Sequence, residues 1–273
     1  MSLYKQSELF AFLNSIGRKP NKRLSQNFLI DGNILNKIVD AASLSPGDLV
    51  IEIGPGPGAL TEALIAKEID VIAIEKDRLF AEKLGRLDKD NRLSIIQEDV
   101  LEVDFLPLLK NRKAKIISNL PYHLTSPIMG KILPLYGKIE TIVVMLQKEV
   151  AVRMSSPPGS KNYGSFSIFT QFYSDTKYLF SVSPNCFFPR PKVTSGVIRC
   201  TPKKTTSSFD KEAFFTFIKS VFSKRRKMLL TILKEEIDKE ALTTELQKLG
   251  YSEKCRPEEI AIHDFVHIYK SFY

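Results

Sequence analysis

Leu49-Val50-Ile51-Glu52-Ile53 runs straight into Gly54-Pro55-Gly56-Pro57-Gly58, and that turn runs into Ala59 to Ala66. A short apolar run bounded by glycine reads as a buried strand, and the residues after the turn are good helix formers. Strand, glycine turn and helix in immediate succession are the nucleotide-binding opening of an open, doubly wound α/β sheet. The spacing also fits the dinucleotide fingerprint, with Ala59 in the last small position. The turn chemistry points elsewhere. A pyrophosphate is held by free backbone N–H groups, and Pro55 and Pro57 each lack one. S-Adenosylmethionine has no phosphate and needs only the close backbone approach that glycine permits, here at Gly54 and Gly56. A methyl donor is therefore favoured over NAD.

The next strands end in acids. Val71 to Glu75 is a second apolar run, and Glu75 lies 21 residues past Gly54, the usual separation for a carboxylate that grips ribose hydroxyls. Leu93 to Gln97 leads into Glu98-Asp99, where Asp99 can accept a hydrogen bond from the adenine amino group of the cofactor. Lys115 to Ser118 ends in Asn119-Leu120-Pro121-Tyr122. In an open α/β sheet, ligands bind at the C-terminal ends of the strands. This tetrad suits methylation of an exocyclic amino group on a nucleobase, whose nitrogen is a poor nucleophile because its lone pair is delocalised into the ring. The Asn119 side-chain oxygen and the Leu120 carbonyl are candidate acceptors for the two N–H groups, which would drive the nitrogen toward tetrahedral geometry. Pro121 fixes the turn. Tyr122 offers a face for the base and π-density near a positively charged methyl. Taken alone, the tetrad also fits a plain proline turn after a strand.

Asn33 to Ala42 carries Ile34, Leu35, Ile38 and Val39 at helical spacing. Helices then alternate with strands through Thr141 to Leu146, the pattern of a parallel sheet. Ser155 to Gly164, with two prolines and two glycines, reads as a mobile loop and possible lid beside the site. Tyr178 to Val182 and Val193 to Cys200 are expected closing strands, with Phe187 on the loop between them. Thr201 to Ser208 is the expected linker, and only helical patterns follow: Lys211 to Phe222, Arg225 to Ile237, Lys239 to Leu249 and Glu258 to Tyr269. The expected domains are residues 1–203, catalytic and cofactor-binding, and 204–273, small and all-helical.

At 273 residues and 43% hydrophobic content, the chain can build a full core. No stretch approaches the roughly 20 apolar residues that cross a membrane, and the first residues do not read as a secretion signal. Cys186, Cys200 and Cys255 are few and scattered, which points to reduced thiols in a cytoplasmic protein. With three histidines, no metal site is expected. The net charge of +9 points to a polyanionic partner. The segment 204–273 carries 13 basic and 11 acidic residues, so most of the excess belongs to the first 203. Two stretches hold no acid: Leu9 to Ile30, with Arg18, Lys19, Lys22 and Arg23, and Thr176 to Phe209, with bases from Lys177 to Lys204. Lys224-Arg225-Arg226-Lys227 is a third basic patch. Bases clustered beside an aromatic pocket suit a flipped or single-stranded nucleotide, with phosphates outside and the base stacked inside.

Taken in order, these motifs resemble the ribosomal RNA small-subunit adenine N6,N6-dimethyltransferase family almost end to end. The likeness covers Gln26 to Leu29, the glycine turn, Glu75, Asp99, Asn119 to Tyr122 with Thr125-Ser126-Pro127, Phe187 to Val193, the basic run, and Arg256 to Glu259. The resemblance implies a Rossmann-like class I S-adenosylmethionine-dependent methyltransferase domain with a small all-α C-terminal domain that binds rRNA. It implies that Asn27 and Leu29 help close the cofactor site, that Gly54, Glu75, Asp99 and Asn119 line it, and that Phe187 sandwiches the target adenine with Tyr122. It departs from the family pattern at Ser25, His123 and Thr231. The implied reaction is in-line attack of adenine N6 on the sulfonium methyl, with a neutral thioether leaving. The implied targets are two adjacent adenosines in the 3′-terminal hairpin of 16S rRNA, met on a nearly assembled 30S subunit by a monomeric enzyme. Three alternatives remain open: a resistance methyltransferase acting on large-subunit rRNA, a DNA amino-methyltransferase, and a non-catalytic RNA- or DNA-binding factor on the same fold.

Overall fold

The computed structural model describes residues 2–21, 26–205 and 208–273. Two compact units emerge: residues 1–151 with 174–203, and residues 152–173 with 204–273. The segment 152–173, expected in the first domain, groups with the helical residues of the second unit.

Among the described residues, the first unit is built on β1 (Phe28–Leu29), β2 (Leu49–Ile53), β3 (Asp70–Glu75), β4 (Leu93–Gln97), β5 (Ala114–Asn119), β6 (Ile139–Gln147), β7 (Ser174–Val182), β8 (Phe187–Phe188) and β9 (Ser195–Pro202). Seven of these strands form one sheet in the order β4-β3-β2-β5-β6-β9-β7. The chain moves outward from β2 to β4, then returns to lay β5 on the other side of β2. That reversal opens a crevice at the strands' C-terminal ends, between the ends of β2 and β5. The strands from β2 to β6 pair in parallel, as expected where helices separate consecutive strands. β9 runs antiparallel to both β6 and β7. No crossover helix stands between β7 and β9, so they close as an antiparallel pair.

Local sequence explains the elements that frame the crevice. Every residue of β2 is buried, the signature of a strand covered on both faces. The helix Gly32–Ala41 starts where the Asp31 carboxylate accepts from the Asn33 and Ile34 amides. It buries Leu35, Ile38 and Val39 in the core shared with Val50, Val71 and Val143.

Phe187 is not in a free loop. β8 pairs antiparallel with β1, Phe28 opposite Phe188 and Leu29 opposite Phe187. Strand alternation then sends the pairs to opposite faces. Leu29 and Phe187 enter the main core, while Phe28 and Phe188 join Leu3, Leu9, Phe12 and Phe80. The helix Gln6–Ser15, which carries Leu9 and Phe12, has no counterpart in the sequence expectations.

In the second unit, the helices Ser165–Tyr173, Lys211–Ser223, Leu229–Leu233, Lys239–Lys248 and Ile262–Phe272 pack around Phe214, Ile218, Val221, Leu246 and Phe265. The expected helix from Arg225 to Ile237 shrinks to Leu229–Leu233 because the basic run forms a turn. Arg225 there donates to the carbonyls of Lys161 (2.7 Å) and Ser160 (3.2 Å). Gly159 N–H donates to the Glu258 carbonyl at 2.7 Å, and Tyr163 is wholly buried. The stretch from Ser155 to Gly164 is therefore fastened to its own unit and is not the mobile loop that its prolines and glycines suggest.

Candidate active site

A cleft at the C-terminal ends of β2, β3, β4 and β5 gathers Asn27, Leu29, Glu52, Gly54, Gly56, Glu75, Asp99, Asn119, Leu120 and Tyr122. The glycine turn forms its floor. Gly54, Gly56 and Gly58 adopt φ of +67°, +55° and +98°, a region that side chains disfavour. At Gly56, a Cβ would also meet the Phe28 ring at 3.1 Å.

The backbone of the turn is already committed. Gly54 N–H donates to the Ile74 carbonyl at 2.8 Å and Gly58 N–H to the Pro55 carbonyl at 3.0 Å. Gly56 N–H donates to Glu75 Oε2 at 2.8 Å. Pro55 and Pro57 have no N–H to give. The turn thus offers no cradle for a pyrophosphate, and the acids Glu75, Glu98 and Asp99 around it disfavour one. The same donor set fits a cationic sulfonium ligand bearing an adenosine.

Glu75 is held by two backbone donors, Gly56 N–H on one oxygen and Asp77 N–H (2.7 Å) on the other. A further backbone contact, from Lys76, also favours its ionised form, and a carboxylate has acceptor capacity beyond its backbone donors. Burial pushes this carboxyl above its ordinary range. Asp99 accepts from Leu101 N–H at 3.0 Å and from the Lys76 ammonium at 2.7 Å, and the Lys76 hydrogen bond holds its carboxyl low. Glu52 is wholly enclosed and accepts from Thr61 Oγ1 at 2.7 Å. Burial pushes its carboxyl up to about 8.

The second half of the cleft is the turn after β5. Asn119 Nδ2 donates to the Asn27 carbonyl at 3.1 Å. This bond orients the amide, leaving its oxygen to accept from a ligand, and ties the segment before β1 to the end of β5. Leu120 N–H donates to the Met145 carbonyl at 3.0 Å, which pins the turn to β6. Tyr122 is anchored through its hydroxyl, 2.7 Å from Ser195 Oγ. Burial raises the phenol's pKa.

Of the residues expected from sequence, all but Phe187 reach this cleft. Phe187 is only 3% exposed and packs in the core beside Leu29, so this conformation does not present it as the second ring of a sandwich. His123 lines the cleft beside Tyr122.

The basic patches are partly structural. Arg18 bonds both oxygens of Asp77 at 3.1 Å, and Arg225 is committed as described above. Lys22, Arg23 and Ser25, and Thr206 and Ser207 of the expected linker, lie outside the described residues.

Residues 17–273 match the model of a family described as ribosomal RNA adenine dimethylase. The chain belongs to the ribosomal RNA adenine dimethylase family. It is thereby an S-adenosylmethionine-dependent methyltransferase, in accord with the donor set of the cleft. It is 44% identical over 279 residues to the ribosomal RNA small subunit methyltransferase A of Protochlamydia amoebophila, across 100% of this chain and 98% of that one. It is 41% identical to the protein of the same name from Chlamydia caviae, across 98% of both chains. The dimethylase fold is also that of two solved structures. One is a dimethyladenosine transferase from Plasmodium falciparum, with TM-score 0.78 and 24% identity over 90% of this chain and 97% of that one. The other is the 23S rRNA methyltransferase ErmE, with TM-score 0.73 and 21% identity over 90% and 99%.

Sequence reasoning missed Glu52, Thr61, Lys76 and Ser195 around this site. Glu52 carried a signal, an acid inside an otherwise apolar strand just before the glycine turn. Ser195 carried none, because its partner lies 73 residues away.

Proposed function

We propose that the protein dimethylates N6 of two adjacent adenosines in the 3′-terminal hairpin of 16S rRNA during late assembly of the 30S subunit, acting as a monomer in the cytoplasm. The observation that carries this reading is Asn119. Its amide is oriented by the Asn27 carbonyl at the mouth of a cleft whose floor is a phosphate-excluding glycine turn. Identities of 41–44% with proteins named for the small subunit support that target over the large one.

When bound, S-adenosylmethionine supplies a methyl group made electrophilic by its sulfonium. Glu75 would hold the ribose hydroxyls, Asp99 the adenine amino group, and Asn27 and Leu29 would close over the site. Asn119 Oδ1 and the Leu120 carbonyl would accept the two N–H groups of the target amine, freeing its lone pair. Tyr122 would carry the base on its face. No strong base is required, since the methylated nitrogen becomes acidic and sheds its proton to water. Positioning and fixed dipoles supply the acceleration. The exposed bases Lys19, Lys177, Arg190, Lys192, Lys224, Arg226 and Lys227 would meet rRNA phosphates, with residues 204–273 as the rRNA-binding helical domain.

The test is transfer of labelled methyl from S-adenosylmethionine to unmethylated small subunits, large subunits and naked rRNA in parallel. The expected product is N6,N6-dimethyladenosine in the 3′ hairpin of the small subunit. Label confined to large-subunit RNA would instead assign the resistance-type activity. Cofactor binding without any transfer would assign a binding factor.

A further inference from the structure

Ser195 opens β9, where its backbone pairs with Gln147 of β6 and Val182 of β7. Its side chain is 0% exposed, and Gly196, Val197 and Ile198 after it are buried too. A hydroxyl there costs desolvation energy unless it is bonded, and an alanine would pack as well. The described partner of Ser195 Oγ is the Tyr122 hydroxyl at 2.7 Å.

Tyr122 is fixed at its root as well as its tip. Thr125 Oγ1 donates to its carbonyl at 3.1 Å, and Leu124 N–H donates to the Pro121 carbonyl at 3.0 Å. A tyrosine side chain has two soft torsions. With the backbone turn set and the phenol tethered to a rigid strand, the axis of the ring is fixed, and the preference of phenol hydrogen bonds for the ring plane biases its rotation before any base arrives. Stacking against a pre-set face spends no binding energy on ordering that face.

We propose that Ser195 is a positioning residue for methyl transfer: its hydrogen bond to Tyr122 holds the ring in the attitude against which the target adenine stacks. This rests on the reading of Tyr122 given under Proposed function.

The experiment is a double-mutant cycle in the full-length protein with unmethylated small subunits, following kcat, KM for subunits, cofactor affinity and thermal midpoint. Ser195→Ala and Tyr122→Phe each remove the bond while keeping the ring. Each is expected to lower kcat about tenfold, the scale of one hydrogen bond, with KM and cofactor affinity unchanged. Ser195→Ala combined with Tyr122→Phe is expected to fall no further, because either change alone already abolishes the bond. Wild-type kcat in Ser195→Ala, or losses that multiply in the double variant, would overturn the proposal. If Ser195→Ala does not fold, Tyr122→Phe decides alone, and wild-type kcat there overturns it. Tyr122→Ala tests the underlying reading separately: wild-type turnover in that variant removes the stacking role itself, whatever Ser195 does.

Discussion

At the residue scale, Glu52 is the group whose chemistry the fold changes most. Burial raises its carboxyl from the ordinary 4.5 to about 8, with the Thr61 hydrogen bond opposing and the Glu75 charge adding to the rise. The folded state therefore keeps a proton that the unfolded chain has released over that window. The contribution of Glu52 to stability falls as pH rises from about 4.5 to 8, since at this group the folded state binds more protons there. Glu52→Gln removes the titration. It is expected to stabilise the ligand-free protein at pH 8 relative to pH 5, by at most about 3–4 kcal/mol. Urea unfolding at the two pH values measures this, and an equal effect at both would show that Glu52 is ionised throughout. Asn119 has a different profile: its nitrogen holds Asn27, and its oxygen is the acceptor proposed for the target amine. Asn119→Ala is expected to lower kcat at least about a hundredfold and to weaken cofactor binding only several-fold, through the loosened Asn27. Kinetics and calorimetry on one preparation separate the two; equal losses would assign Asn119 to cofactor binding alone.

At the element scale, the glycine turn packs more tightly than its flexibility suggests. A Cβ at Gly58 would lie 2.7 Å from Leu87 and 2.8 Å from Leu84, at a φ of +98°. Gly58→Ala is expected to cost about 2 kcal/mol or more from strain and overpacking together, visible as a lowered thermal midpoint. At Gly54, where no atom lies within 4 Å of a built Cβ, alanine meets only the backbone cost and should be milder in stability. The same element shows what local pattern conveys. β2 and β4 have the boundaries read from the sequence; β2 is an apolar run apart from Glu52 and is buried throughout, while β4 is a half-exposed edge strand. The helix expected from Arg225 to Ile237 fails because the carbonyls of Ser160 and Lys161 claim the arginine, and nothing near position 225 announces them.

At the scale of the whole molecule, the +9 charge divides between bases engaged within the protein and bases left exposed. Arg18 and Arg225 are engaged within the protein, whereas Arg226 and Lys227 are exposed. Replacing Arg226 and Lys227 by alanine is expected to weaken small-subunit binding. The slope of log affinity against log salt should become shallower by about one for each phosphate left unneutralised, with the thermal midpoint unchanged. Arg225→Ala should do the reverse, lowering the midpoint through the loop from Ser155 to Gly164. Binding titrations at several salt concentrations, beside melting curves, tell the two roles apart. An unchanged salt slope in the first variant would remove this patch from the RNA surface.

The sequence by itself determined the α/β class, the alternation of helices with parallel strands, the glycine turn with its missing N–H groups, and the placement of Glu75, Asp99 and Asn119 at or just past strand ends. Each of these follows from period, turn chemistry or spacing along a few dozen residues. Tertiary structure alone decided that Phe187 enters the core against Leu29, that residues 152–173 join the helical unit, and that Ser195 reaches Tyr122. Those outcomes depend on strand pairing and packing between segments far apart in the chain, where side-chain direction is set by the partner and not by neighbouring residues.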